Sequence, residues 1–409
     1  MEKPKTSGIS RMETLGLFFI GSVYIMCLFP VLLTETRMFA HDTVWYYGLM
    51  RYFYNSILGG TFPYWDPYSY SGQPFYYNVG IARVFEIPSL FVAGLNVFMK
   101  ASLFSMYHWD FVLRIFLSSL GVYFCFREVN RYLMSNLVVF AAFLFSSFGI
   151  SAMRQCGLMT SFMWTPWALM FLLRSLRRID LYNTVGLALF TGWSITSYQA
   201  GYTLTFLQIF AMALVLTKPA GVMGIFKDRR KLLLLSAGFV ITAALSLQVL
   251  SVFIEKDRSV PVLRRDGDPE SSSYTEVAGG KAALPEDLKG LLFPARIASR
   301  ATAKAQKEHI SEGHLYIGLI PLLLSLAGMR FSSGRLKKVF LIVLVLTLFL
   351  MFGGHIKMGP AGKLVFPFLI FSRHMQLFQP FFLLVMMYFT GQGMDVLIDR
   401  VKEKTKRSS

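Results

Sequence analysis

Residues 37–86 read RMFAHDTVWYYGLMRYFYNSILGGTFPYWDPYSYSGQPFYYNVGIARVFE. They directly follow an apolar run over residues 15–33. The stretch is crowded with aromatics and carries one carboxylate, Asp42, close to the end of that run. It closes in Gly, Pro and Asn turn chemistry. The rest of the chain differs in kind, because apolar runs of about 16–23 residues recur along its whole length, the lengths that helical spans require. An aromatic, polar segment held between such runs reads as the outer-face part of an all-α polytopic membrane protein. Sustained period-two alternation is missing, which argues against strands.

Composition agrees. Of 409 residues, 54% are hydrophobic and 16% charged, against about 25% charged in soluble domains. The mean hydropathy is +0.50. A net charge of +18 would suggest nucleic acid in a soluble protein. Here Lys and Arg fall in short loops between spans, so the charge reads as positive-inside bias with attraction to membrane lipids, and no nucleic-acid partner is expected. Cys27, Cys125 and Cys156 show no metal or disulfide spacing. Lys3, Lys5 and Arg11 precede an apolar run longer than the core of a cleaved signal, which predicts an uncleaved first span.

Basic loops set the topology. Arg127 and Arg131, then Arg174 to Arg178, Lys218 to Lys231 and Arg330 to Lys338, and finally the tail from Arg400 to Arg407 are placed inside. The spans then fall near 15–33, 109–127, 132–150, 158–174, 182–198, 202–217, 232–254, 314–329, 338–353 and 375–397, with both termini cytoplasmic. The apolar segment 87–104 would invert every later loop if it crossed, so it reads as an interfacial or re-entrant helix. Alternatively, it crosses and either 158–174 or 202–217 does not. Two large outer segments result, 34–104 and 255–312. The second holds ten basic and ten acidic residues and contains LPEDLKGLLFP, an amphipathic phrase. Residues 398–409 form a basic cytoplasmic tail, and 1–409 is one membrane domain.

The chemistry-bearing residues gather at the outer boundary. Asp42 suits a general base for a hydroxyl nucleophile; it is equally placed to cap a helix beginning DTVWYYGLM. Asp66 precedes Pro67 and fits a turn. Trp65 and Tyr76 can stack on a sugar ring or anchor at the interface. Asn78 and Arg83 follow in YYNVGIAR, with Glu86 as a ready partner for Arg83. Arg83, Arg154, Arg373 and His374 oppose the charge bias of an outer face; a lipid-borne phosphate would account for them, and so would snorkelling. Tyr198, Gln199, Glu312, His314 and Tyr316 stand at other outer helix ends. His108, Trp109 and Asp110 read as span-boundary residues, and Arg114 as a snorkelling cation within the span 109–127. Motifs for nucleotide, dinucleotide, zinc-protease and serine-hydrolase chemistry are lacking, and no cofactor is expected.

The order of these phrases resembles a known family. A first span, then an acidic residue, then G-x-x-P-x-W-[DN]-P-x-x-x-x-G-x-P is similar to the first outer loop of GT-C glycosyltransferases, and most to the YfhO-like bacterial membrane proteins. Gly60, Pro63, Trp65, Asp66, Pro67, Gly72 and Pro74 occupy the phrase. SYQAGY, ALPEDLKGLLFP with HLYIGLIPLLLSLAG, and FSRHMQLFQPFFLLVMMYFTGQGMDVL extend the resemblance over nearly the whole chain. It implies a GT-C-like bundle of about ten spans with outer juxtamembrane helices, in the bacterial cytoplasmic membrane. It also implies a polyprenyl-phosphate-linked sugar donor and an envelope glycan, lipid or protein acceptor. Asp42 becomes the expected base, and Arg83, Arg154 and Arg373 the residues for the donor phosphate. His41 stands where the familiar phrase often has a second acidic residue, which leaves a divalent metal open. Rival readings are a lipid or glycolipid flippase, another transporter, and a non-catalytic envelope assembly partner.

Overall fold

The first helix begins where local chemistry tells it to. Ser10 and Glu13 form a reciprocal capping box: the Ser10 amide donates to Glu13 Oε2 at 2.6 Å and the Glu13 amide to Ser10 Oγ at 3.2 Å. Helix α1 (Arg11–Leu33) follows. In a computed structural model the described residues are 9–33, 43–67, 73–75, 86–151, 159–160, 162–196, 200–217, 227–259, 315–352, 365–368 and 378–408. They form thirteen helices and one minimal hairpin.

Two short helices and the hairpin separate α1 from the next long helix. Helix α2 (Thr43–Leu58) ends at Gly59 and Gly60, the latter at φ +72°, a left-handed turn that suits glycine. Strands β1 (Trp65–Asp66) and β2 (Gln73–Pro74) pair antiparallel, Trp65 with Pro74 and Asp66 with Gln73. The turn expected at Asp66 is thus the edge of a hairpin. Helix α3 (Ile87–Met99) has Pro88 in its first turn and closes on Lys100 at φ 49°. Its thirteen residues span about 20 Å, short of the ~30 Å hydrocarbon layer.

Helix α4 (Leu103–Arg127) starts six residues earlier than its apolar run. Ser102 is the reason: its Oγ accepts from the Ser105 amide at 3.1 Å, an N-cap. The segment 87–104 is therefore α3, a break, and the start of α4. Helix α5 (Leu133–Leu144) is shorter than the expected span 132–150. The chain breaks at Phe145 and Ser146, where Ser146 Oγ takes the Phe148 amide at 3.2 Å, and α6 (Ser147–Ser151) restarts. Helices α7 (Thr165–Ser175), α8 (Leu181–Ile195), α9 (Ala200–Thr217) and α10 (Arg229–Ser259) follow. Helices α11 (Leu319–Phe331), α12 (Arg335–Met351) and α13 (Gln379–Ser408) complete the fold. Helices α10 and α13 outrun the expected ends at 254 and 397, because helix-forming polar residues continue each apolar stretch. The basic tail is thereby part of α13.

Each of the ten expected spans meets a helix. Among the described residues five helices are long and apolar enough to cross a membrane: α1, α4, α9, α10 and α13. Burial sorts them. In α10 only 11% of the apolar window is buried, against 72% in α13. The first lies at the rim on α8; the second packs on α4, α5, α11 and α12. The α11–α13 contact is closest. A Cβ on Gly328 would stand 2.1 Å from the Phe389 carbonyl oxygen, and one on Gly393 1.9 Å from that of Leu324. Ser325 and Thr390 hydroxyls join across the same seam at 2.8 Å. Small residues that let backbones meet are how helices adhere when lipid removes the hydrophobic drive. Beside this seam the Phe340 and Tyr388 rings stack at 3.9 Å.

Candidate functional site

Most residues singled out from sequence lie outside the described residues: Asp42, Tyr76, Asn78, Arg83, Arg154, Tyr198, Gln199, Glu312, His314, Arg373 and His374. The amphipathic phrase LPEDLKGLLFP lies outside them too, as does Cys156. Thr43, the residue after Asp42, opens α2. Trp65 is 53% exposed on the hairpin. Its carbonyl accepts from the Tyr52 hydroxyl of α2, and the Tyr52 and Phe75 rings meet edge-on at 5.5 Å. Phe75 is fully buried, so the hairpin is stapled to α2 with the indole left outward. Tyr316 stands just before α11, and its carbonyl accepts from the Ser147 amide at 2.8 Å. Among the described residues no hydrogen bond or ring contact links Trp65 to Tyr316.

The structure brings together a different set. Arg114, on α4, is 1% exposed. Its Nε donates to Asp110 Oδ2 at 2.8 Å, its Nη2 to Ser89 Oγ at 2.7 Å, and its Nη1 to Glu86 Oε2. Ser89 in turn donates to Asp110 Oδ1 at 3.0 Å. Trp164, at the head of α7, donates its indole N–H to Glu86 Oε1 at 3.3 Å. Tyr54 of α2 lies within electrostatic reach of Asp110, Arg114 and Ser89. Its burial, reinforced by the Asp110 charge, pushes the phenol well above its ordinary range and keeps it neutral. Four elements thus converge on one guanidinium.

Two readings are corrected by this arrangement. Arg114 does not snorkel; it is ion-paired inside the bundle. Asp110 and His108 are both buried, and the Ser102 cap sets the helix start more than a turn before them. Glu86 pairs with Arg114, rather than being left to Arg83 alone. The spacing of Asp110 and Arg114, four apart on one helix, was a readable signal of an intrahelical ion pair. The partnership with Glu86 was not, since it depends on how α3 folds back on α4. Both carboxylates spend their oxygens on Arg114, Ser89 and Trp164, so the group is built to hold elements together.

A second cluster sits at the C-terminal end of α4. Glu128 accepts from Arg174 at 2.7 Å and from Arg177 at 2.8 Å, both from the end of α7. Nearby, Glu13 meets Arg127 at 3.0 Å and the Tyr123 hydroxyl at 3.0 Å. Asp395 of α13, almost wholly buried, takes the Arg131 and Tyr132 amides at 2.8 and 3.3 Å and Ser135 Oγ at 2.5 Å. It caps α5 from another helix. Among the described residues no group of three or more His, Cys, Asp or Glu side chains is set to hold a metal.

Five helices of spanning length and apolar composition give the class: a multi-pass helical membrane protein. No model of a known protein family matches the chain, and no curated protein matches it.

Proposed function

We propose that the chain is a membrane glycosyltransferase of the GT-C kind, moving a sugar from a polyprenyl-phosphate donor to a cell-envelope acceptor. The reaction takes place on the outer face of a bacterial cytoplasmic membrane, with both termini inside. The observation that carries the reading is the order of residues after the first long helix. Asp42 is followed by the Gly60-to-Pro74 phrase, and α2, the hairpin and α3, each too short to span, fill the interval before α4. Ten spans with these juxtamembrane pieces make a bundle that can hold a lipid-linked substrate at the boundary.

The chemistry follows from the groups available. The acceptor hydroxyl oxygen bonds to the sugar C1 as the bond from C1 to the phosphate oxygen breaks. The hydroxyl proton passes to the Asp42 carboxylate. The leaving phosphate gains charge, which Arg83, Arg154, Arg373 and His374 offset. The outward Trp65 indole offers a stacking face for a sugar, with Asp66 and Tyr76 beside it in sequence and Asn78, Tyr198, Gln199, Glu312, His314 and Tyr316 as polar contacts.

The test is transfer from a panel of polyprenyl-phosphate sugars by purified wild-type protein and Asp42→Asn. Transfer by the wild type, lost about 10²-fold or more in the variant with donor still bound, is expected. Full activity in the variant sinks the mechanism.

One observation favours a second reading, lipid flipping or transport. Asp110 and Arg114 are charged and buried within a spanning helix, the placement that marks transport pathways. Flipping of labelled lipid in liposomes without sugar transfer, abolished by Arg114→Met in folded protein, would establish that reading instead.

A further inference from the structure

The junction of α11, α12 and α13 holds a pair of arginines that the fold does not use. Arg330, at the end of α11, and Arg400, on α13, both lie over the ring of Phe331, at 5.5 and 4.3 Å from its centroid. Both guanidinium groups are exposed, and no carboxylate partners either among the described residues. Two cations held at one ring repel each other, so an anion beside them is favoured.

Two neighbouring charges are engaged elsewhere. Asp399, one residue before Arg400, faces α5 and is taken by Arg131 at 2.7 Å and the Tyr132 hydroxyl at 2.6 Å. The end of α11 is served by Lys337, whose ammonium donates to the Ser332 carbonyl at 2.9 Å. The two arginines are therefore neither ion-pair members nor helix caps. Around them are exposed apolar side chains: Phe331 at 49%, Leu397 at 47% and Val401 at 59%.

We propose that Arg330, Arg400 and Phe331 form a binding site for the phosphate of an anionic phospholipid, with Leu397 and Val401 against its acyl chains. A planar guanidinium presents paired N–H groups that match phosphate oxygens. The flanking apolar surface is useful to a lipid and of no use to a free phosphate ion. The site is independent of the transferase reading and lies on the side that the basic loops assign to the cytoplasm.

The experiment uses the full chain in detergent and counts retained lipid by native mass spectrometry. The probes are phosphatidylglycerol and phosphatidylcholine of equal chain length. Wild-type protein should retain the anionic lipid preferentially. R330Q/R400Q should lower that retention roughly ten- to thirty-fold, since each surface cation contributes on the order of fivefold. R229Q/R230Q, which removes two exposed cations at the start of α10, should change it less than about twofold. Equal losses in the two double variants would mean a diffuse field and overturn the proposal. So would unchanged retention in R330Q/R400Q, or displacement of the lipid by millimolar inorganic phosphate. If that double variant does not fold, the exposed single change R400Q carries the test, with a loss of about fivefold expected.

Discussion

Helix α4 carries two arginine–carboxylate clusters, one midway along it and one at its C-terminal end, and the two are inverses. Midway along it, two carboxylates surround Arg114, which is 1% exposed. At its end, two arginines surround Glu128, and those arginines are 29–30% exposed. The hydrogen-bond distances are similar, but the surroundings differ. A partly exposed cluster can exchange its partners for water, so losing one arm costs little. A cluster shut inside a bundle cannot, and removing its centre strands two charges. Similar geometry in different surroundings should therefore give the two clusters different weights.

The comparison can be broken in order of effect. Arg114→Met should destabilise the protein by about 3–5 kcal/mol, measured by thermal unfolding in detergent, because Glu86 and Asp110 lose their shared cation. Arg177→Gln, the matching change at the exposed end, should cost under about 1 kcal/mol. Equal shifts in melting temperature would refute the distinction. Restoring much of the loss with E86Q/D110N/R114M would sharpen it, since no stranded charge remains.

Asp395→Ala should fall between these, at about 1.5–3 kcal/mol, because a buried carboxylate that serves two amides and a hydroxyl is removed. Hydrogen exchange at the Arg131 and Tyr132 amides, just before α5, should rise most. The smallest effect is expected at Asp228, which caps α10 through the amides of Arg230 and Lys231. The Lys231 ammonium and those amides hold its carboxyl below the ordinary range. Its contribution is thus present above the unfolded-state value and lost as pH falls through the lower folded value. Exchange at the start of α10 should differ between wild type and Asp228→Ala at pH 7 and converge in acid.

Much of the helical layout was legible because hydropathy is a local property. Each of the ten expected spans overlaps a helix, and among the described residues five of these are long and apolar enough to cross; the apolar segment 87–104 gave a helix of only thirteen residues before a break. The errors arose where capping overrides hydropathy. Ser102 begins α4 well before its apolar run, and Ser146 splits the expected span 132–150. Arg114, read as snorkelling within its span, is instead ion-paired inside the bundle. The outer-face residues led by Asp42 were read from motif order, and Trp65, Asp66 and Tyr316 alone fall among the described residues. The Glu86–Arg114 pair was hidden because it joins positions 28 apart through a fold-back.

The cap that Asp395 gives to α5 also has a consequence in time. The amide of Arg131 finds its acceptor 264 residues later in the chain. Until α13 is made and threaded between its neighbours, the start of α5 has no carboxylate to close it, and Gly391 cannot take its place against Asn130. The early helices can enter the bilayer as they are made, but their final arrangement waits on the last one. A chain halted before α13 should be inserted yet unfinished, open to quality-control proteases at its α4–α5 turn.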